Sequence, residues 1–320
     1  MKGNRRMADI LTLGELLIDL TQTGTDENGN GIFAAYPGGA PANVAVAAKR
    51  LGADTGFVGK VGNDVFGRSL KAVLDKEGVD AKGLYVSDKV PTTLAIVSID
   101  SKGEREFSFY RNPGADTQLT EDEAISAIRD SFPLILHVGS LSLTDEPIRT
   151  ACESAVRYAK ENGALISYDP NYRASLWESE ETAVIMMKKL LPLTDILKVS
   201  DEELVMLTGS SDPEVGTKVL ADYGISLVLV TLGPDGVFIR SGDNFATVPG
   251  FSVTVADTNG AGDTFLGATL CKLAGKLRQG GELEWDELKD FVVFANKAAS
   301  LTCSRHGAIP AMPRAEEINL

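Results

Sequence analysis

"PLILHVG" (133–139) and "ALISYD" (164–169) are short apolar runs, each closed by Gly or Asp and separated by helix-compatible sequence. The unit recurs at "DILKVS" (195–200) and "LVLVTLG" (227–233). A strand apolar on both faces is covered on both faces, and strands separated by helices pair in parallel. The expected fold is therefore α/β, a three-layer α/β/α arrangement around a central, mostly parallel sheet. Ligands in such folds bind beyond the C-terminal ends of the strands. Those ends carry Gly139, Asp169, Ser200 and Gly233.

Upstream, "ILTLGELLIDL" (10–20) reads as one buried strand and "PANVAVAAKRLG" (41–52) as an Ala-rich helix stopped by Gly52. "TGFVGKVG" (55–62) predicts a second strand, followed by a helix over about 64–77. Two segments interrupt this alternation. Residues 15–36 contain the Gly/Asn-rich "TGTDENGNGIF", and "TTLAIVSIDSKGEREFSFYR" (92–111) reads as a hairpin turning at Ser101-Lys102-Gly103. Together they predict a small β-sheet lid, over about 15–36 and 92–111, within a single domain spanning 1–320. Gly280-Gly281 marks a break between two C-terminal helices.

Composition narrows the partners. The 320 residues are 43% hydrophobic and 24% charged, with a formal net charge of −14 and a pI near 4.7. That field repels polyanions, so neither nucleic acid nor an anionic membrane is an expected partner. A small phosphorylated ligand stays admissible where helix N-termini, a basic side chain or a divalent cation supply local positive potential. No apolar run reaches the length of a membrane span, and "MKGNRRMADI" leads into no signal-type core. Cys152, Cys271 and Cys303 lie far apart and read as buried small hydrophobes, which fits a reducing cytoplasm.

In "YPGGAPANVAVAAKRLG" (36–52), Gly38 and Gly39 precede a helix with Pro41 near its first turn. Glycines admit close backbone approach, and helix-start N–H groups are free donors. Asn43 stands near that mouth, able to meet a hydroxylated ligand; spacing alone favours a plain turn. Neither "GGAPAN" nor "GKVGNDVFG" (59–67) has the Gly-x-Gly-x-x-Gly order, and no Walker-type run occurs, so a hydride-transfer reading lacks its fingerprint.

"DTNGAGDTF" (257–265) opens another helix. Amides around Gly260, Ala261 and Gly262 would face a ligand with the helix dipole behind them, a natural seat for phosphate. Asp263 alone is explained by the preference of acids for helix starts. The flanking glycines are not, and a carboxylate beside an anion seat can accept a hydroxyl proton as that oxygen attacks phosphorus. Asp257 has two open readings, an Asx-turn or a cation ligand. His137, closing an apolar strand, and His306, in a turn, make neither a metal site nor a triad.

The two glycine-rich stretches, in this order and some 220 residues apart, closely resemble the signatures of the ribokinase-like (PfkB-type) carbohydrate kinases. The resemblance extends over nearly the whole chain. "GELLIDL" (14–20), "FYRNPGAD" (109–116), "DPNYRASLW" (169–177) and "KVSDEEL" (198–204) are similar to the fructokinase group within that family. The resemblance implies ATP-dependent phosphorylation of a sugar, D-fructose at O6, with Asp263 as base and the 260–263 amides as anion hole. It implies sugar contacts at Asp19, Gly38, Gly39 and Asn43, with Arg111, Asn171 and Arg173 also on the substrate side. It places Ser200, Glu203, Thr231, Gly233, Gly236 and Asn296 by the nucleotide, Glu203 ordering Mg²⁺-bound water. Where many members have Asn-x-x-Glu, this chain has Ser200. A K⁺ site is implied at Asp257 and Asn259 with carbonyls of Thr302, Arg305, Gly307 and Ala311. Alternatives are a 2-keto-3-deoxygluconate kinase or ribokinase, or a noncatalytic sugar-binding member. The lid's exposed strand edges suggest a homodimer.

Overall fold

The computed structural model describes residues 8–99 and 105–319. The turn expected at Ser101-Lys102-Gly103 and the basic start of the chain lie outside these residues. Thirteen strands and nine helices alternate among them. The strands are β1 (Ile10–Leu13), β2 (Leu17–Thr25), β3 (Gly31–Gly38), β4 (Thr55–Gly62), β5 (Asp80–Ser87), β6 (Leu94–Ile99) and β7 (Arg105–Tyr110). They continue as β8 (Ile135–Gly139), β9 (Leu165–Asp169), β10 (Ile196–Ser200), β11 (Leu227–Thr231), β12 (Val237–Ser241) and β13 (Asn244–Val248). The helices are α1 (Ala40–Arg50), α2 (Val65–Glu77), α3 (Glu121–Ser131), α4 (Ile148–Glu161) and α5 (Glu180–Lys188). After them come α6 (Asp201–Thr208), α7 (Pro213–Ala221), α8 (Ala261–Gln279) and α9 (Trp285–Cys303).

Nine strands form the central sheet in the order β13-β12-β11-β10-β9-β8-β1-β4-β5. All pairings from β11 through β5 are parallel; β12 and β13 return antiparallel at one edge. The apolar runs that predicted the sheet supply its core. Leu136, Val138, Leu197 and Val199 face the layer of α3–α7, while Ile135, Ile196 and Leu229 face α1, α8 and α9. Strand order reverses at β1, which lies between β8 and β4. Loops beyond the carboxyl ends of β1 and β8 therefore diverge and leave a crevice.

The expected single strand over 10–20 is two strands in two sheets. β1 joins the central sheet, whereas β2 joins a four-stranded sheet in the order β3-β2-β6-β7. The chain turns at Gly14, where a Cβ would stand 2.6 Å from Pro41 Cγ. The next residue, Glu15, points its carboxylate at the start of α1 and accepts the Ala40 N–H at 3.0 Å. An apolar run cannot reveal that the first of its two charged members, Glu15, caps a distant helix. In this second sheet β2–β3 and β6–β7 pair antiparallel and β2–β6 parallel.

α1 is sandwiched between the sheet and α8. Small residues permit the approach, for a Cβ on Gly267 of α8 would meet Ala47 Cβ at 2.7 Å and Val44 O at 2.9 Å. Gly267→Ala must therefore push the two helices apart. It should cost about 1–3 kcal/mol of stability, read from the urea midpoint; an unchanged midpoint would refute the close contact. Among the described residues no helix is long and apolar enough to cross a membrane.

Candidate active site

Beyond the carboxyl ends of β1, β8 and β9, the loops enclose a cavity. From the first half of the chain come Glu15, Asp19, Gly39 and Asn43; from the second, Asn171, Arg173, Gly260 and Asp263. Leu17 and Phe109, from the four-stranded sheet, close one side. Two helices point their N-termini here. α1 begins after Gly39, at a φ of 110° that favours glycine. α8 begins after Gly260, left-handed at φ 72°. A Cβ on Gly260 would also stand 2.9 Å from Ala308 Cβ, so the C-terminal loop packs onto the turn only because this residue is glycine. Ala261 N–H donates to the Thr258 carbonyl at 3.3 Å, while the next first-turn amides of α8, at Gly262 and Asp263, have no intrahelical acceptor and face an incoming anion.

Asn43 and Asp263, 220 residues apart, meet inside this cavity, Asn43 Nδ2 donating to Asp263 Oδ2 at 2.8 Å. Both are buried. Burial pushes the Asp263 carboxyl up to about 6; the Asn43 bond opposes the rise and Asp169 adds to it. Burial also pushes Asp19 up to about 6, against the pull of Arg173, with Asp263 adding to the rise. Asp19 lies tight against Gly38, where any Cβ would collide with its carboxylate. Asn43 Oδ1 and Glu15 Oε2 are buried without a partner. Orphaned acceptors in a cavity wall are the mark of a polar ligand position.

From the sequence, Glu15 and Lys198 carry no role and Asp169 marks only a strand end. Glu15 is buried, which pushes its carboxyl up to about 7. Lys198 of β10 and Asp169 of β9 form a buried ion pair at 2.7 Å. A lysine within "DILKVS" and an aspartate ending "ALISYD" are visible in the sequence, but their pairing across neighbouring strands is not.

Arg111 departs from its expected place. It lies behind the cavity wall, where Asp116 takes Nε at 2.7 Å, Thr144 takes Nη1 at 2.7 Å and the Leu141 carbonyl takes Nη2 at 2.9 Å. These partners hold a fixed guanidinium that braces the end of β7. Asn171 does line the cavity, at a left-handed φ of 48°. Arg173 is exposed at its rim, with Nη1 bonded to the Tyr172 carbonyl.

The residues expected on the nucleotide side lie at the ends of β10 and β11, in the turn before β12 and on α9. Ser200 caps α6, accepting the Glu203 N–H at 3.1 Å while Glu203 Oε2 accepts the Ser200 N–H at 2.8 Å. Glu203 Oε1 accepts the Tyr172 N–H at 2.7 Å, and its burial raises its pKa, Asp169 adding to the rise. Ser200 and Thr231 are register partners on β10 and β11. Gly233 (φ 57°) and Gly236 (φ 100°) form the following turn. Asn296 donates to the carbonyls of Val248 and Pro249, and so ties α9 to the loop that Gly236 abuts.

Asp257 makes the Asx-turn, accepting the Asn259 N–H at 2.9 Å, and also reaches the C-terminal loop by accepting the Gly307 N–H at 3.0 Å. In the last turn of α9 the Thr302 carbonyl accepts the Arg305 N–H, and Arg305 Nη1 stands 3.5 Å from the Ala311 carbonyl. His137 is buried against Ser167 and its pKa is pushed down to about 4 by burial, so it is a neutral packed residue. Among the described residues no group of three or more His, Cys, Asp or Glu side chains could hold a metal ion.

A family model described as pfkB family carbohydrate kinase matches residues 7–315. The chain is 43% identical to fructokinase-1 of Zea mays, over 97% of this chain and 96% of the maize protein. Its structure is similar to that of fructokinase with bound ATP from Xylella fastidiosa, with a TM-score of 0.88 and 34% identity, covering 97% of this chain and 96% of that one. A fructokinase double mutant from Vibrio cholerae, in a fructose, ADP and potassium ion bound form, matches with a TM-score of 0.86 and 32% identity, 98% of each chain being covered.

The raised Asp263 pKa has a consequence for stability. Because its folded value lies above the ordinary aspartate value of 3.8, the folded state loses stability as pH rises from about 4 through 6. Asp263→Asn removes that penalty. Its ligand-free Tm should exceed the native Tm at pH 8, with the difference vanishing near pH 4. A difference independent of pH would contradict the buried carboxylate.

Proposed function

The chain belongs to the pfkB family of carbohydrate kinases, and from that premise we propose that it is an ATP-dependent fructokinase, transferring the γ-phosphoryl of ATP to O6 of D-fructose. The observation that carries this reading is Asp263. It is a buried carboxylate at the amide-rich start of α8, held by Asn43 and facing a cavity with orphaned polar atoms. With Oδ2 engaged by Asn43, Oδ1 is left to accept the sugar hydroxyl proton. The O6–P bond forms as the P–O bond to ADP breaks, and the 260–263 amides hold the charge on the transferring group. In a loose transition state the base takes the proton late and mainly orients the oxygen.

Asp19, Gly38, Gly39 and Asn43 would bind fructose hydroxyls, with Asn171 and Arg173 at the far wall and Glu15 beneath. Water competes with the sugar for the phosphoryl group, so the four-stranded sheet serves as the lid that excludes it. Ile32, Phe33 and Tyr110 of that sheet are exposed, which favours pairing of two lids in a homodimer. Ser200, Thr231, Gly233, Gly236 and Asn296 would line the nucleotide side. Mg²⁺ characteristically relies on substrate phosphates and few carboxylates, which suits a site whose nearby acid is Glu203, ordering metal-bound water. When bound, the ion would neutralise charge on the nucleotide phosphates. Asp257 and Asn259, with carbonyls of Thr302, Arg305, Gly307 and Ala311, would seat K⁺. Free thiols at Cys152, Cys271 and Cys303 accord with a cytoplasmic setting.

A coupled ATP-turnover assay over fructose, ribose and 2-keto-3-deoxygluconate tests the reading, and fructose should show the highest kcat/KM. Asp263→Asn should keep fructose binding while kcat falls at least about a hundredfold; near-native turnover would remove Asp263 as base. The acid limb of kcat/KM should centre near pH 6, where Asp263 and Asp19 ionise. A limb centred near pH 4 would contradict the burial of both groups.

A further inference from the structure

We propose that Lys198 is a further catalytic residue, contacting the transferring phosphoryl from beneath the first turn of α8, and that Asp169 is the positioning residue that holds its ammonium there. The inference rests on the reading that the start of α8 receives the phosphoryl group.

Strand register brings the two residues together. β9 and β10 pair as Ile196 with Ser167 and Leu197 with Tyr168, so the next step sets Lys198 beside Asp169. Side chains alternate along a strand. Ile196, two residues before Lys198, faces the layer of α1, α8 and α9, so Lys198 emerges on that face, one turn from the catalytic loop. Its Nζ donates to Asp169 Oδ2 at 2.7 Å. A Cβ built on Gly262 would stand 3.3 Å from the same Nζ. The glycine thus leaves open the space between the ammonium and the turn that carries Gly260 to Asp263. One of the three ammonium protons is engaged by Asp169, and the others are available to an incoming anion.

A purely structural role explains this poorly. A buried ion pair recovers little net stability over apolar residues of similar size, because both ions must be desolvated. β10 is otherwise built of Ile, Leu and Val up to Ser200, so an apolar residue at 198 would suit its core. The place chosen for a positive charge is the one where negative charge develops during transfer. Burial works against the charged amine, but Asp169 and then Glu203 more than offset it and raise its pKa, so it stays an ammonium at neutral pH. Lys198 therefore neither gains nor loses a proton in the reaction: the O6 proton goes to Asp263, and Lys198 offsets charge on the phosphoryl oxygens.

The test uses the full-length chain with Lys198→Met, Lys198→Met/Asp169→Asn and Asp263→Asn, assayed with ATP and fructose. Lys198→Met should lower kcat about 10²–10³-fold, as loss of an oxyanion donor does, while KM for fructose stays within about threefold of native. The double variant removes both members of the 2.7 Å pair, so it should recover Tm relative to Lys198→Met while kcat stays low. Recovery of kcat to within about fivefold of native in the double variant would make the pair structural and overturn the proposal. Native turnover lost in Asp263→Asn but kept in the double variant would overturn this inference alone. A native protein without fructose-dependent ATP turnover would overturn it together with the kinase reading it rests on.

Discussion

Helices α1 and α8 touch almost backbone to backbone at Gly267, and the site depends on that contact. There is no room for even one methyl group between Gly267 and Val44 or Ala47. At this separation Asn43, one turn into α1, reaches Asp263 in the first turn of α8. Two helix N-termini are thereby aimed at one crevice, and both dipoles favour negative charge there. The crevice itself follows from the reversal of strand order at β1. The sheet supplies the place, and the packing of small residues supplies the distance.

The electrostatics follow from this enclosure. Glu15, Asp19 and Asp263 are drawn out of water, and burial raises the pKa of each. Folding is opposed by ionising such groups, while catalysis needs Asp263 in its ionised form near neutral pH. The chain tolerates this at one site because the surrounding core is extensive. The same enclosure explains how a protein of net charge −14 can be read as a kinase. Its positive potential is local, from helix starts, Arg173 and the ammonium of Lys198, rather than from the long-range field.

Much of the site is legible in the residues when function is carried by a local motif. Gly38, Gly39, Asn43, Gly260 and Asp263 could be singled out because glycines flank a helix start in both stretches. The same reasoning left Asp257 open between turn and cation ligand, and its bonds to Asn259 and Gly307 show that it makes the turn. Glu203 likewise has a local structural use, as the partner of Ser200 in a helix cap. Where charges pair across distance, sequence is silent. Lys198 belongs with Asp169, 29 residues before it in the chain.

The sequence by itself determined the parallel sheet, because fully apolar short strands alternating with helices have no other way to be covered. It also determined that two glycine-opened helices would present free amides, since that property is local to the backbone. Only the tertiary structure decided that "ILTLGELLIDL" divides between two sheets, because Gly14 must turn against Pro41 and Glu15 must cap α1. It alone decided which buried charges face one another. Register between strands and the distance between helices come from packing over the whole chain, and no single stretch of residues encodes them.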